Sequence, residues 1–398
     1  MLTFAKLIRF EVRSLLRDPT ILLTLFGGIL LYSFLYPRPY LAQTPRELPV
    51  VLVDEDGTQL SRRLAFMADS TPEVQLVAQR NTLDEAKALL LHGEAKGILY
   101  IPRHFYRDIM QGKSVTVSYS ADASYFLIYG AIAQSLATVG GTVGAQVKVV
   151  RLLAQGEGIP AASSQWQAAS LSVVPVFNST MGYVDYVVPG VFMLILQQIL
   201  LMGCGLLGAG QNQRTRSGEV RYWQSATPWR LLLARTLVIG GAYLLSLLYM
   251  LGFCLDAYGI AREASMSQLL LFALPFLLST LWLGIVLGAA FTRKDLPSQA
   301  VLLSSIPIVF LSGFIWPIEM IPAPLNWLAQ WVPAVFTIQG ILRLNQMGAD
   351  FAQIGPFWWH LWILAALYGL LAWGMLGYRQ RQFRRENQAA RRWLEHYL

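Results

Sequence analysis

Cysteine is nearly absent. The chain has two in 398 residues, Cys204 and Cys254, both inside apolar runs, so neither a disulfide framework nor a cysteine-built zinc site is suggested. Histidine is also sparse: His92, His104, His360 and His396 are scattered and suggest no metal site. Charge is scarce too. Only 14% of residues are charged, against about a quarter in a soluble globular domain. A phosphate-binding loop is missing. QGKS at 111–114 matches the end of one, but Arg107 stands where that loop needs a glycine for bare amides to wrap the phosphates. The segment reads as a turn before a strand, and the chain shows no nucleotide site of its own.

What is present is apolar. Hydrophobic residues make up 55% of the chain. The net charge of +8 does not imply nucleic acid, because the basic residues sit beside apolar runs instead of gathering on a soluble face. A bilayer-crossing helix needs about 20 predominantly apolar residues, and six stretches qualify: 20–36, 183–209, 234–258, 268–291, 298–316 and 357–377. The first has a basic flank like a signal peptide, but no small-x-small cleavage site follows in YPRPYLAQ, so it reads as an uncleaved anchor. The fold expected is an α-helical polytopic membrane protein with six transmembrane helices.

Residues 37–182 differ in character. Strand-like patterns at 49–54, 74–79, 96–102 and 114–120 alternate with helical spacing at 60–68, 82–93 and around HFYRDIMQG. A long helix from Ser124 to Gln155 follows, interrupted at Gly140–Gly141. That order predicts an inserted α/β domain. Asp54, Glu55 and Asp56 at a strand end are read as a polar turn completed by Gly57 and not as a cation site.

Basic residues mark the cytoplasmic side of a membrane protein. Residues 1–19 carry Lys6, Arg9, Arg13 and Arg17; residues 210–235 hold five arginines and one acid; the tail from 378 to 398 holds six arginines and two glutamates. The 292–297 loop is weakly basic, whereas 259–267 is balanced and 317–356 has one arginine and two acids. This alternation puts both termini and the 210–235 loop in the cytoplasm, and the α/β domain outside. The insert itself, with 12 basic and 12 acidic residues, has no bias. Only Asp185 and Asp256 lie within or beside the spans, near their ends, which disfavours an ion-coupled carrier that relays charge deep in the bundle.

Two cytoplasmic segments stand out. In TFAKLIRFEVRSLLRDP, Phe4, Leu7, Ile8, Val12 and Leu15 share one helical face flanked by bases, predicting an amphipathic helix. It reads equally as a lipid anchor or as a strut that also touches a soluble partner. In QNQRTRSGEVRYWQSATPWRLLLAR, Glu219, Tyr222 and Trp223 sit one turn apart, and Thr227–Pro228 breaks the helix before the third span. Exposed aromatics and one acid suit docking to a protein; a headgroup-level aromatic anchor is the other reading.

The stretch LSGFIWPIEMIPAPLNWLAQWVPAVFTIQGILRL carries a resemblance. Its Ser312, Gly313, Phe314, Pro317, Ile318, Glu319, Pro322, Pro333, Phe336 and Thr337 match the pattern of bacterial ABC transporter permeases of the ABC-2 superfamily. VDEDGTQLSRRL is similar to the opening of the insert in the exporter branch, which has a large extracytoplasmic domain after the first span. Arg216, Glu219 and Pro228 fit the family's cytoplasmic loop, although its Gly-Thr step is absent here.

That resemblance implies a transmembrane permease subunit of an ATP-driven exporter in the bacterial inner membrane. It implies an amphiphilic or hydrophobic substrate, such as a drug or lipid, and alternating access. The chain would have no catalytic residue, cofactor or metal; ATP and magnesium would act at separate cytoplasmic ABC ATPase subunits. Arg216, Glu219, Tyr222, Trp223 and Pro228, with Phe4, Leu7 and Ile8, would receive the ATPase motion. Gly313, Phe314, Trp316, Pro317, Glu319 and Pro322 would form part of an outer gate in a Pro-broken re-entrant hairpin spanning 317–350. Implied partners are a second permease chain, membrane lipids and an outer adaptor. The competing reading is a membrane-anchored sensor or envelope-assembly protein whose outer domain binds a ligand; a six-span bundle with a broken hairpin exceeds what an anchor needs.

Overall fold

A computed structural model describes residues 3–41, 45–121, 126–154, 156, 177, 182–213 and 222–397, with side chains from 387 onward and at 126–127 left undescribed. The chain divides into two compact units, Met1–Leu41 with Gly182–Leu398, and Ala42–Met181. The first opens with α1 (Phe4–Arg17) and the apolar helix α2 (Pro19–Tyr40).

The second unit is the inserted α/β domain. It contains β1 (Leu48–Asp54), α3 (Gln59–Asp69), β2 (Val74–Arg80), α4 (Leu83–Leu91), β3 (Gly97–Ile101), α5 (Phe105–Met110), β4 (Ser118–Ala121) and α6 (Phe126–Ala154). The sheet order is β2-β1-β3-β4, parallel except for β4. Successive side chains of a strand face opposite ways. Val50 and Leu52 therefore join one core with α3 and α6, while Val51 and Val53 join another with α4. Burial on both faces explains why β1 reads as an unbroken apolar run.

Local chemistry sets the element ends. Thr58 and Thr82 cap α3 and α4, their hydroxyls accepting from Ser61 N and Glu85 N at 3.3 Å each. The acidic run after β1 is a turn: Asp54 Oδ1 accepts from the Asp56 and Gly57 amides, and Oδ2 accepts from Ser61 Oγ at 2.7 Å. At QGKS, Gly112 has φ +82° and closes α5, and Lys113 lies 3.8 Å from Asp108. Two expectations are corrected. The strand forms only over Ser118–Ala121 rather than from 114, and α6 continues through Gly140–Gly141 without a break, since hydrogen bonds and neighbouring valines outweigh a glycine propensity loss of about 1 kcal/mol per residue.

The remainder of the first unit is helical: α7 (Val184–Asn212), α8 (Tyr222–Ser225), α9 (Pro228–Ala257), α10 (Met266–Ala290), α11 (Asp295–Leu311), α12 (Ala323–Ala329), α13 (Pro333–Ile341) and α14 (Phe351–Tyr397). Among the described residues five helices are long and apolar enough to cross a membrane: α2, α7, α9, α10 and the Phe351–Glu386 part of α14. Five of the six expected spans correspond to these helices. The stretch at 298–316 forms α11, a shorter apolar helix of 17 residues, because Ser312 caps it and Gly313 turns the chain at φ +82°. The third span also begins earlier than expected, at Pro228, so Arg235 belongs to a helix and not to the preceding loop.

The helix α7 is the hub. Its apolar window is 89% buried, against 22% for α2, and it packs on α10, α11 and α13. Where α7 meets α10 the backbones nearly touch. A Cβ added at Gly208 would lie 2.7 Å from Gly288 Cα, and one at Gly284 would lie 2.7 Å from Cys204 Cβ. Small residues permit such close packing where no water drives helices together. Both cysteines are buried and free. Among the described residues, π turns at Leu23–Gly27, Thr236–Gly240 and Tyr249–Cys254 interrupt the regular helices, and a fourth, Leu342–Gln346, ends α13.

Candidate coupling site

The amphipathic helix α1 forms as expected, but the line it buries is Leu7, Glu11 and Leu15. These residues follow the i, i+4, i+8 spacing of one helical face. Ile8 is half-buried beside them, whereas Phe4, Phe10, Val12 and Leu16 are exposed. An acid thus lies in the middle of the face that packs on the bundle.

Its partner is Arg235 of α9. Arg235 Nε donates to Glu11 Oε1 at 3.2 Å, and the two side chains are 3% and 0% exposed. Tyr222 Oη donates to the same oxygen at 3.1 Å. Gln211, near the end of α7, donates to Tyr222 Oη at 2.9 Å and accepts from Arg235 Nη2. Four elements, α1, α7, α8 and α9, meet in this one network. Phe10 stacks on the Tyr222 ring at 5.3 Å. Burial pushes the Tyr222 phenol above its ordinary value, with the Glu11 charge adding to the rise, so Tyr222 stays a donor.

Trp223 points the other way. It is 2% exposed, edge-on to Phe383 at 5.1 Å, and its carbonyl accepts from Gln380 Nε2 at 2.7 Å. It is a core residue of the α8–α14 contact and not an aromatic offered outward. Pro228 starts α9 at its first position, where a missing N–H is harmless. Arg216 and Glu219 lie outside the described residues. The expected set is therefore split. Leu7 and Tyr222 come to the network, Ile8 flanks it, Phe4 stays exposed, and Trp223 anchors α14.

A second polar contact closes the junction of α1 and α2. Asp18 caps α2, accepting from Thr20 N at 3.1 Å, and Lys294 Nζ donates to its other oxygen at 2.6 Å. The Lys294 ammonium holds the Asp18 carboxyl below its ordinary value of 3.8. A depressed carboxylate stabilises the fold above its unfolded pKa and loses that contribution as pH falls through the folded value. Asp18→Asn is expected to lower stability by under ~1 kcal/mol at neutral pH, as for partly exposed pairs. The difference from wild type should vanish on acidification below 3.8, read as converging thermal midpoints.

The expected gate residues lie elsewhere in the same unit. Gly313 is required twice over: its φ is +82°, and a Cβ there would strike Ile318 at 2.7 Å. Phe314 packs toward Gly190 of α7. Trp316, Pro317, Glu319 and Pro322 are exposed along a short 3-10 turn, Ile318–Met320, before α12. What holds this region was missed in the sequence: Gln197, fully buried in α7, accepts from Ala334 N at 2.6 Å and so caps α13. Its neighbour Gln198 donates to Ser305 of α11 at 3.1 Å. The signal was a Gln pair in the middle of an apolar run, ILQQIL.

The family model described as ABC-2 family transporter protein matches residues 19–373. The chain belongs to the ABC-2 transporter family. It is also similar to curated relatives named inner membrane transport permease YhhJ, from Escherichia coli (strain K12) and from Shigella flexneri. Each is 24% identical over 364 residues, covering 87% of this chain and 89% of the relative. As an ABC-2 family member with five apolar helices of spanning length, the chain is the membrane subunit of a transporter. The matched region takes in α2 through the first half of α14 and leaves α1 outside, so Glu11 reaches from beyond the family match to an arginine within it.

Proposed function

We propose that this ABC-2 chain is the permease subunit of an ATP-driven exporter, working with separate cytoplasmic ATPase subunits and a second permease chain. It would move an amphiphilic or hydrophobic substrate outward by alternating access. The carrying observation is the Glu11–Arg235–Tyr222–Gln211 network. Breaking a buried ion pair by exposing one partner costs about 3–5 kcal/mol, so the four elements that share it move together. A push delivered to α1 or to the loop holding Arg216 and Glu219 would reach α7 and α9 without being lost in local rearrangement. The basic character of residues 1–19, 210–235 and 378–398 supports a cytoplasmic location for this end, and hence an extracytoplasmic α/β domain.

The absence of an ionisable chain along the helices does not itself argue for this reading. Among the described residues the buried charge is one pair, Glu11 of α1 with Arg235 of α9, suited to holding elements together. The gate assignment for Gly313 to Pro322 follows from the same reading: irregular backbone at membrane depth must be buried or line a cavity.

The test is purification of the tagged chain in mild detergent, with mass spectrometry and an ATPase assay on the eluate. A stoichiometric ATP-hydrolysing partner is expected. A clean chain without ATPase, reproduced from native lipid, would overturn the reading. Glu219→Ala alone should then uncouple ATPase stimulation; Trp223 is unsuitable for that test because its loss removes core packing.

A further inference from the structure

Three residues, 330–332, join α12 to α13, and they lie deep along the spanning helices. The first free amide of α13, Ala334 N, bonds Gln197, the 14th of the 29 residues of α7. From the other side the link meets His360 and Tyr368, both in the apolar stretch Phe351–Glu386 of α14. At about 1.5 Å per residue they stand about 14 and 26 Å from Phe351, within the ~30 Å of a hydrocarbon core. Backbone that leaves the helix at such depth needs protein partners for its polar groups.

The carbonyls of Gln330 and Trp331 are the groups at issue. In a continuing helix they would accept from the amides four residues on, those of Ala334 and Val335. Both amides are engaged elsewhere: Ala334 N on Gln197, and Val335 N on the Val332 carbonyl at 3.1 Å. Two side chains of α14 take their place. His360 Nε2 donates to the Gln330 carbonyl at 2.9 Å, and Tyr368 Oη donates to the Trp331 carbonyl. A carbonyl only accepts, so Nε2 is the protonated nitrogen of His360. The His360 ring also stacks on Phe336 of α13, with centroids 3.8 Å apart. The link is thus fixed to α14 by two side-chain hydrogen bonds and not by a helical ladder.

We propose that His360 and Tyr368 are positioning residues that latch this link shut on α14, and that the link parts from α14 when both bonds break. Gln197 keeps α13 on α7 meanwhile, so the latch opens without dismantling α13. Opening leaves two carbonyls without partners, which water must then reach. That this opening serves the outer gate rests on the exporter reading above. The latch itself does not, and a chain that brings no ATPase would fail that reading and leave the latch standing.

The test uses the full chain in lipid nanodiscs, carrying Ala329→Cys beside the link, where the native side chain is 1% exposed. The reagent is 2-sulfonatoethyl methanethiosulfonate, an anion that modifies thiols only where water reaches. Mass spectrometry of peptides gives a rate at each thiol, and the rate follows the open population when closing is fast. Cys204 and Cys254, both buried and free, are references on α7 and α9. His360→Phe keeps the ring over Phe336 and removes the N–H; Tyr368→Phe removes the hydroxyl alone. Each should speed labelling at 329 roughly five-fold, and the two together about 25-fold, the loss of one and of two neutral hydrogen bonds. His360→Gln, which restores an N–H at similar reach, should label near the native rate. The rates at Cys204 and Cys254 should not move. An unchanged rate at 329 in the double variant overturns the latch. So does a rise shared equally by all three thiols, which would show a loosened bundle, or a thiol at 329 that already labels at the denatured rate. His360→Gln labelling as fast as His360→Phe overturns the role of the His360 hydrogen bond.

Discussion

Glu11→Ala is expected to destabilise the chain by about 3–5 kcal/mol, because it leaves the Arg235 guanidinium buried without its counter-charge. That is a large part of a typical stability of about 5–15 kcal/mol. Arg235→Ala should do the same in reverse, stranding Glu11 at 0% side-chain exposure. Glu11→Leu combined with Arg235→Met removes both charges and keeps the volume, and should recover most of the loss. Thermal midpoints of the four proteins in one detergent form a double-mutant cycle. A double variant as unstable as the sum of the singles would show that the pair is not the source. Transport by the recovered double variant then separates structure from coupling. Retained ATP-driven transport would reduce the pair to packing; loss of transport in a folded chain would support its coupling role.

Gly288→Leu should prevent assembly of the bundle altogether. At this crossing an added Cβ meets Cys204 O at 2.8 Å and Gly208 Cα at 2.9 Å. Both are backbone atoms of α7, the helix on which α10, α11 and α13 pack. No rotamer change relieves a backbone clash, so α7 and α10 must separate. Gly208→Leu should behave alike. Gly241→Leu is the control, since a Cβ there meets nothing within 4 Å, and it should give a normal yield. Gel filtration after extraction reads the result: an aggregated or absent peak for the first two, and a monodisperse one for the third. A monodisperse Gly288→Leu chain would show that the helices do not approach this closely.

Much of this architecture was legible because it rests on composition and period. Long apolar runs announce helices, and the alternation of β1, β2 and β3 with α3, α4 and α5 announces an α/β domain. The bundle's polar interior was not legible. Arg235 was counted with the loop charges of 210–235, at the very edge of the apolar run; the helix in fact starts at Pro228, which places Arg235 two turns inside it. Glu11 looked like one more charge on a basic helix, since a sequence shows which residues share a face but not which face meets protein. Trp223 was read as an outward aromatic for the same reason. The Gln197–Gln198 pair drew no reading from the sequence, though a polar side chain inside an apolar run needs a partner; the Gln197 oxygen takes the open end of α13. The end of this apolar run was legible only roughly: Pro317 marked a stop, but the helix already ends at Leu311, where Gly313 turns the chain.

The four π turns bear on how such chains diverge. A π turn holds one residue more than the α geometry around it needs. Deleting a single residue within Leu23–Gly27 or Tyr249–Cys254 returns that stretch to regular α-helix and leaves the faces beyond it in phase. Elsewhere in a span, the same deletion would rotate every later side chain by about 100°, the angle between successive residues of a 3.6-residue turn. Length differences inside the membrane segments of relatives are therefore expected to gather at these places, where the helices carry slack.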